Sequence, residues 1–219
     1  MSTRDEFDSP TTKFDAGAFD GSGFSADPAG AGSASLLADV EEPGTAGAEP
    51  DRWHAGLDIG LLVLRLGLGI TMGAHGLQKL FGLFGGQGID GFAQALAGMG
   101  YRDQTTLLAW ITALAEVGGG VLLVLGLFTQ LGAAAILGVA ANIVYVKYQA
   151  NGGFFTSADG LGFEYELFLG VTALALLFTG SGRAALDKNT PWRRKPGTFG
   201  VLGLLLAAAA STVVIVLFR

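Results

Sequence analysis

The sequence predicts an all-α integral membrane protein: a four-helix transmembrane bundle, a fifth C-terminal transmembrane helix and a disordered acidic N-terminal tail. Three observations carry that expectation. Half of the 219 residues are hydrophobic and 15% are charged, with a mean hydropathy of +0.49, too apolar for a soluble domain of this length. Apolar runs of about 20 residues, the length that crosses a ~30 Å hydrocarbon core as a helix, recur after residue 57. The charge is also unevenly spread. Residues 1–52 hold eleven acids against Arg4, Lys13 and Arg52, a net of −8, whereas residues 53–219 hold eight acids and ten bases, a net of +2.

The acidic segment 1–52 is rich in Gly, Ala, Ser, Asp and Pro and has no sustained helical or strand period. Such a composition buries too little apolar surface to offset its ordering entropy, so disorder is expected on the cytoplasmic side. It lacks the basic start and continuous apolar core of a secretory signal. Phe7-Asp8, Phe14-Asp15 and Phe19-Asp20 recur within it, followed by Phe24-Ser25. Apolar anchors on an acidic strand can dock in grooves of a partner protein, and composition drift in a linker gives the same pattern.

Five spans follow, at 58–82, 105–127, 130–149, 164–181 and 198–218. No charge lies between Glu116 and Lys147, a run too long for one span, so Phe128-Thr129-Gln130 is the expected turn of a tight hairpin. Gly69 and Gly73 would let helix backbones approach closely. The 198–218 run, apolar apart from Ser211 and Thr212, reads as a lipid-facing anchor with no polar task. The organisation is therefore a tail at 1–52, a bundle at 53–188, and a basic loop with the extra span at 189–219.

Basic residues in short loops set the topology. Arg183, Lys188, Arg193, Arg194 and Lys195 lie between the fourth and fifth spans, while 83–104 and 150–163 contain only Arg102. The 182–197 loop and the N-terminal tail are thus expected in the cytoplasm, with the C-terminus outside, in a bacterial plasma membrane.

Ionisable groups inside a bilayer each need a partner or a task. At 100° per residue, Arg65, Met72, His75, Gly76 and Lys79 share one broad face of the first span. Glu116 lies near the middle of the second span, Asn142 and Tyr145 lie in the third, and Glu164 and Glu166 open the fourth. Arg65, His75, Lys79, Glu116, Asn142 and Glu166 form the candidate intramembrane polar site, for binding or proton relay. The expected contact of Glu116 is Arg65 or His75, with Lys79 snorkelling to the outer interface. A purely structural pair that fixes helix register stands beside that reading. The segment 147–166, with Tyr148, Phe154, Phe155, Phe163 and Tyr165, reads as an interfacial aromatic belt or as the lid of a pocket.

With no cysteine and histidine only at 54 and 75, disulfides, thiol relays and thiolate or His-rich metal sites are excluded, and no metal is assigned. The acidic balance argues against nucleic acid as a partner.

Arg65 with His75-Gly76-Leu77-Gln78-Lys79-Leu80, Glu116 with Gly118-Gly119-Gly120 and the run 122–129, and Asn151-Gly152-Gly153-Phe154-Phe155 together resemble the DoxX family of small bacterial membrane proteins. Glu164 to Glu166, Gly180-Ser181-Gly182 and Leu186-Asp187 complete the resemblance, which covers about residues 57–188. It implies a four-helix membrane bundle. It also implies a role beside redox enzymes, since the family takes its name from subunits of a thiosulfate:quinone oxidoreductase, and some members accompany superoxide dismutase and a sulfurtransferase. Three functions stay open. One is an accessory subunit anchoring redox or oxidative-stress partners through the tail. Another is a quinone-interacting subunit in which His75, Glu116 and Arg65 line the pocket. The least favoured is a small transporter, for which the chain shows no inverted repeat, although homo-oligomerisation would create a shared pore.

Overall fold

The structure, a computed structural model, describes residues 55–150, 152–155, 162–188 and 190–219. Among these the order is α1 (Ala55–Phe81), a 3-10 turn (Leu83–Gly85), α2 (Gly88–Gly98), α3 (Thr105–Leu125), α4 (Thr129–Gln149), α5 (Glu164–Thr179), α6 (Pro191–Arg194) and α7 (Pro196–Phe218), with no strand. The Phe-Asp pairs at Phe7-Asp8, Phe14-Asp15 and Phe19-Asp20, and the docking role expected of them, lie outside the described residues.

Contacts of α1 with α3, α3 with α4, α4 with α5 and α5 with α1 close a four-helix ring, and α7 lies against its α4–α5 side. The chain is a multi-pass membrane protein. Helices α1, α3, α4 and α7 are long and apolar enough to cross a bilayer. Large apolar side chains such as Ile59, Ile70 and Val216 face outward, which suits lipid and not water.

The fourth expected span is shorter than foreseen. Helix α5 has 16 residues, about 24 Å at 1.5 Å per residue. It ends at Gly180, whose φ of 76° turns the chain out of the helix. It still runs antiparallel to α4 over most of its length, since Glu166 meets Lys147 at one end and Gly180 approaches Gln130 at the other.

The closest helix crossing is between α1 and α3. A Cβ added at Gly120 would lie 2.5 Å from the Gly69 carbonyl oxygen and 2.8 Å from the Gly73 amide nitrogen. The three-glycine run thus serves two neighbours, because Gly119 faces α4, where its Cβ would lie 3.0 Å from the Gly132 carbonyl. Only hydrogen at these positions lets the backbones come so near.

The α3–α4 hairpin turns two residues earlier than expected, at 126–128, with Gly126 (φ 64°) and Phe128 (φ 46°) both left-handed. Leu127 N–H donates to Leu122 C=O at 3.0 Å and Gly126 N–H to Leu123 C=O at 3.1 Å, the paired bonds that close a glycine-terminated helix. Asp187, 2% exposed, accepts from Phe128 N–H and Trp192 Nε1–H, both at 2.7 Å, and the Phe128 and Trp192 rings stack at 4.5 Å. The loop after α5 is thereby stitched to this turn.

Helix α7 corrects the picture of a lipid-facing anchor. It buries Gly200, Gly203, Ala207 and Ser211 along one stripe, with small side chains that let it pack onto the ring while its other faces stay exposed. Its end is tied down too. Arg102 N–H donates to Phe218 C=O at 2.9 Å, and the Arg219 guanidinium lies 5.2 Å from the Tyr145 ring centre.

The 83–104 segment, expected as a loop, contains α2. Its Ala93 and Leu96 join Tyr101, Leu108, Ala109 and Val146 in a second apolar cluster that roofs this end of the bundle. Burial pushes the Tyr101 phenol above its usual range, with the nearby Arg219 charge opposing the shift.

Candidate functional site

One cavity of about 560 Å³, within the range of small-molecule sites, gathers residues from α1, α2, α3, α4, α5 and α7. It follows α4 from Leu131 to Lys147, a 16-residue separation or roughly 24 Å along the helix. The two ends differ in chemistry. Towards Leu131 the lining is Ala134, Ala135, Leu206 and Ala207, all apolar. Towards Lys147 it carries His75, Lys79, Glu116, Asn142, Tyr165 and Glu166. Ile111, Leu131 and Leu206 line the cavity and are also about half exposed, so it opens onto the apolar outer surface.

Helix periodicity explains how the polar end forms. His75 and Lys79 are one turn apart on α1 and project to the same side. Glu116 faces them from α3, where it is 1% exposed. Asn142 and Lys147 come from consecutive turns of α4, and Tyr165 and Glu166 from the first turn of α5.

Glu116 corrects the expected pairing. Its Oε1 meets Lys79 Nζ, not Arg65 or His75. The long lysine stem, expected to snorkel outward, instead folds back into the bundle with its ammonium 4.6 Å from the Phe92 ring centre. A second pair lies alongside, where Lys147 Nζ donates to Glu166 Oε1 at 2.7 Å and to Gly162 C=O at 2.8 Å.

His75 is held by two neighbours. Its Nδ1 is 3.0 Å from Gln78 Oε1 and its Nε2 is 3.3 Å from Tyr165 Oη. Gln78 Nε2 donates to Phe84 C=O at 3.4 Å, which orients the amide with its oxygen towards the imidazole. In the neutral imidazole this orientation places the proton on Nδ1 and leaves Nε2 to accept from the Tyr165 hydroxyl.

Arg65 does not belong to this cavity. Ten residues before His75, it sits about 15 Å back along α1. There its Nη2 donates to Ala184 C=O at 2.5 Å, and a side chain at Gly126 would collide with the guanidinium. The helical wheel places Arg65 and His75 on one face but says nothing about depth, which is what separates them.

Five of the six predicted polar residues thus line one cavity. Sequence reasoning passed over Lys147 and Phe92 as site residues and treated Tyr165 as part of an aromatic belt. Lys147 ends the charge-free run and lies five residues after Asn142, which was the available signal. Phe154 and Phe155 are exposed, with rings edge to face at 4.8 Å, while 151 and 156–161 lie outside the described residues, so the belt and lid readings stay open. Among the described residues no three His, Asp or Glu side chains converge as metal ligands.

The family model described as DoxX matches residues 60–149, from Gly60 within α1 to the end of α4. The chain is similar to "Putative oxidoreductase CatD" of Bacillus subtilis (strain 168), 35% identical over 131 residues, which is 59% of this chain and 86% of that protein. No solved structure matches it.

Proposed function

The chain belongs to the DoxX family, and from that premise we propose that it is a membrane subunit of an oxidoreductase system that binds a quinone-type amphiphile in the cavity along α4. The observation that carries this is the shape and chemistry of the cavity. A ~24 Å slot, apolar at one end and polar at the other, suits a ring with a long apolar tail. The half-exposed Ile111, Leu131 and Leu206 give a tail access from the hydrocarbon phase.

Each residue has a definite task in this proposal. His75, fixed in one tautomer by Gln78, and Tyr165 hold a hydrogen-bonding face at the polar end. The Lys79–Glu116 and Lys147–Glu166 pairs keep the end polar without net charge, so a neutral head group meets no unbalanced ion. When bound, a quinone supplies two-electron, two-proton chemistry. The electrons come from a partner, and any sulfur chemistry does too, because the chain has no cysteine. The name of the Bacillus relative supports an oxidoreductase setting.

Isothermal titration of the purified protein in detergent micelles with 2,3-dimethoxy-5-methyl-6-decyl-1,4-benzoquinone and its reduced form tests the proposal. Saturable binding of at least one form is expected. Gly138→Leu, at a cavity-lining position whose added Cβ makes only ordinary contact with Ala207, should weaken it tenfold or more by filling the slot. No binding, or unaltered binding in a folded Gly138→Leu protein, would sink the proposal.

A further inference from the structure

A second groove lies towards the opposite end of α4 from Lys147, beside the α3–α4 turn. It has a volume of about 300 Å³ and is lined by Phe128 and Leu131, by Trp192, and by Phe199, Leu202 and Leu206 of α7. Phe199 to Leu206 cover seven residues, about 10 Å of helix, which fits within the ~15 Å of hydrocarbon in one leaflet. Phe128, Leu131, Leu202 and Leu206 are each about half exposed, so the groove opens sideways onto lipid tails. The side-chain N–H groups of the lining are engaged, since Gln130 Nε2 donates to Trp192 C=O at 3.3 Å and Trp192 Nε1 to Asp187 Oδ2 at 2.7 Å. What the groove offers is hydrocarbon. It meets the larger cavity at Leu131 and Leu206 and shares none of that cavity's polar residues.

The rim is cationic. Trp192 is followed directly by Arg193, Arg194 and Lys195. Lys195 C=O accepts the Phe199 N–H at 3.2 Å, so Lys195 stands one turn before Phe199, and the spacing to Leu202 and Leu206 keeps all four on one side of α7. Residues 182–197 set five bases against Asp187 alone, and Asp187 is 2% exposed, with Oδ2 taken by the Phe128 and Trp192 N–H groups. Arg193 Nη1 donates to Asp187 C=O at 3.1 Å, while Arg194 and Lys195 are exposed. The single carboxylate is thus turned inward and the cations stand at the surface. Stacking on Phe128 at 4.5 Å holds the Trp192 ring at this boundary, where an amphipathic indole belongs. Setting the topology asks for the cations but not for an aromatic-walled groove beside them.

We propose that this groove binds an anionic phospholipid of the leaflet that holds the 182–197 loop. One acyl chain lies along Phe199, Leu202 and Leu206, and the phosphate meets Arg193, Arg194 and Lys195. A head group without an ammonium of its own is favoured, because the choline or ethanolamine of a zwitterionic lipid is repelled by the same cations. The site stands whether or not the larger cavity binds a quinone.

The test reads Trp192 in the full chain carrying Trp53→Phe and Trp110→Phe, which leave it the sole tryptophan. The protein is reconstituted in phosphatidylcholine vesicles that hold a small, equal fraction of either phosphatidylglycerol or phosphatidylcholine with a dibrominated acyl chain. Bromine quenches an indole that it touches. The brominated phosphatidylglycerol should quench Trp192 about twofold more, or better, than the brominated phosphatidylcholine. Arg194→Gln/Lys195→Gln, both exposed and checked for folding by circular dichroism, should at least halve that excess, and Arg102→Gln at the other end of the bundle should keep it. Equal quenching by the two lipids overturns the proposal. So does an excess that survives the double variant or disappears in Arg102→Gln, because the charge would then act from elsewhere. An excess lost on adding glycerophosphoglycerol, the deacylated head group, at the same concentration would mean a site for soluble phosphate and overturns the lipid as its occupant.

Discussion

Alanine in place of Gly118, Gly119 and Gly120 in turn measures how tightly α1, α3 and α4 are packed. All three substitutions gain the same helix propensity, about 1 kcal/mol at most. Differences among them therefore isolate what the added methyl meets. At Gly118 it meets nothing within 4 Å. At Gly119 it would lie 3.0 Å from the Gly132 carbonyl oxygen, and at Gly120 2.5 Å from that of Gly69, where ordinary contact begins near 3.4 Å. The atoms met are backbone and cannot swing aside as a side chain could. Overpacking of this kind costs roughly 1–3 kcal/mol. Gly118→Ala should be neutral or stabilising by up to about 1 kcal/mol, and Gly120→Ala should fall about 1–3 kcal/mol below it, with Gly119→Ala between. Unfolding by SDS titration, followed by circular dichroism in mixed micelles, reads these differences. If Gly118→Ala and Gly120→Ala agreed within about 0.5 kcal/mol, α1 and α3 would not cross at Gly69 and Gly120, and the placement of Lys79 against Glu116 would lose its support.

Three further outcomes are expected. Lys79→Met and Glu116→Leu should each destabilise by roughly 3–5 kcal/mol, with the double variant well short of their sum, because an orphaned buried charge costs more than an apolar pair; additive losses in the same SDS titration would exclude the pair. Asp187→Ala should cost about 1–3 kcal/mol for each donor it leaves buried, and a smaller blue shift of Trp192 fluorescence would report release of the indole from the α3–α4 turn. Because the chain has no cysteine, Gly98→Cys and Gly197→Cys, both facing open space, carry the sole thiol of their variants. A membrane-impermeant maleimide applied to intact cells should label the first and spare the second if the basic 182–197 loop is cytoplasmic; the reverse pattern would invert the topology.

The spans were legible because each is a long apolar run whose length the bilayer dictates, and the α3–α4 hairpin because no single helix could absorb its charge-free run. Helix α2 was not legible. Its 11 residues, GIDGFAQALAG, are too short and too rich in glycine to stand out, and its partners Tyr101, Leu108 and Val146 come from separate segments. The packed role of α7 was hidden for a related reason, since Gly200, Gly203, Ala207 and Ser211 read equally well as filler in a lipid anchor. Most of the polar site was foreseen because charge inside an apolar helix is conspicuous. The identity of the pairs was not, because angular position on a helix fixes a face and leaves open how far a lysine stem reaches.

The two sets of buried charge along α1 differ in what surrounds them, and that difference separates a structural task from a binding one. Arg65 lies against the chain's own backbone, with Ala184 C=O as acceptor for Nη2 and Nε and Nη1 without a partner, and it does not line the cavity. Glu116 is buried equally and also keeps one atom unpartnered, yet it stands on the lining of a slot large enough for a ligand. Burial without an adjacent space fixes register, whereas a buried charge pair on the wall of a slot also shapes what the slot accepts. Arg65→Lys, which loses the planar fork, should lower stability by about 1–3 kcal/mol while leaving ligand affinity within twofold. Glu116→Gln keeps the shape but removes the charge that balances Lys79 at the polar end of the cavity, so it should weaken binding of the decyl benzoquinone or its reduced form by tenfold or more with a smaller loss of stability than Glu116→Leu. Unfolding and titration on the same preparations would show the two effects on separate axes. If Arg65→Lys abolished binding in a folded protein, or Glu116→Gln left it untouched, the division between the two ends of α1 would be wrong.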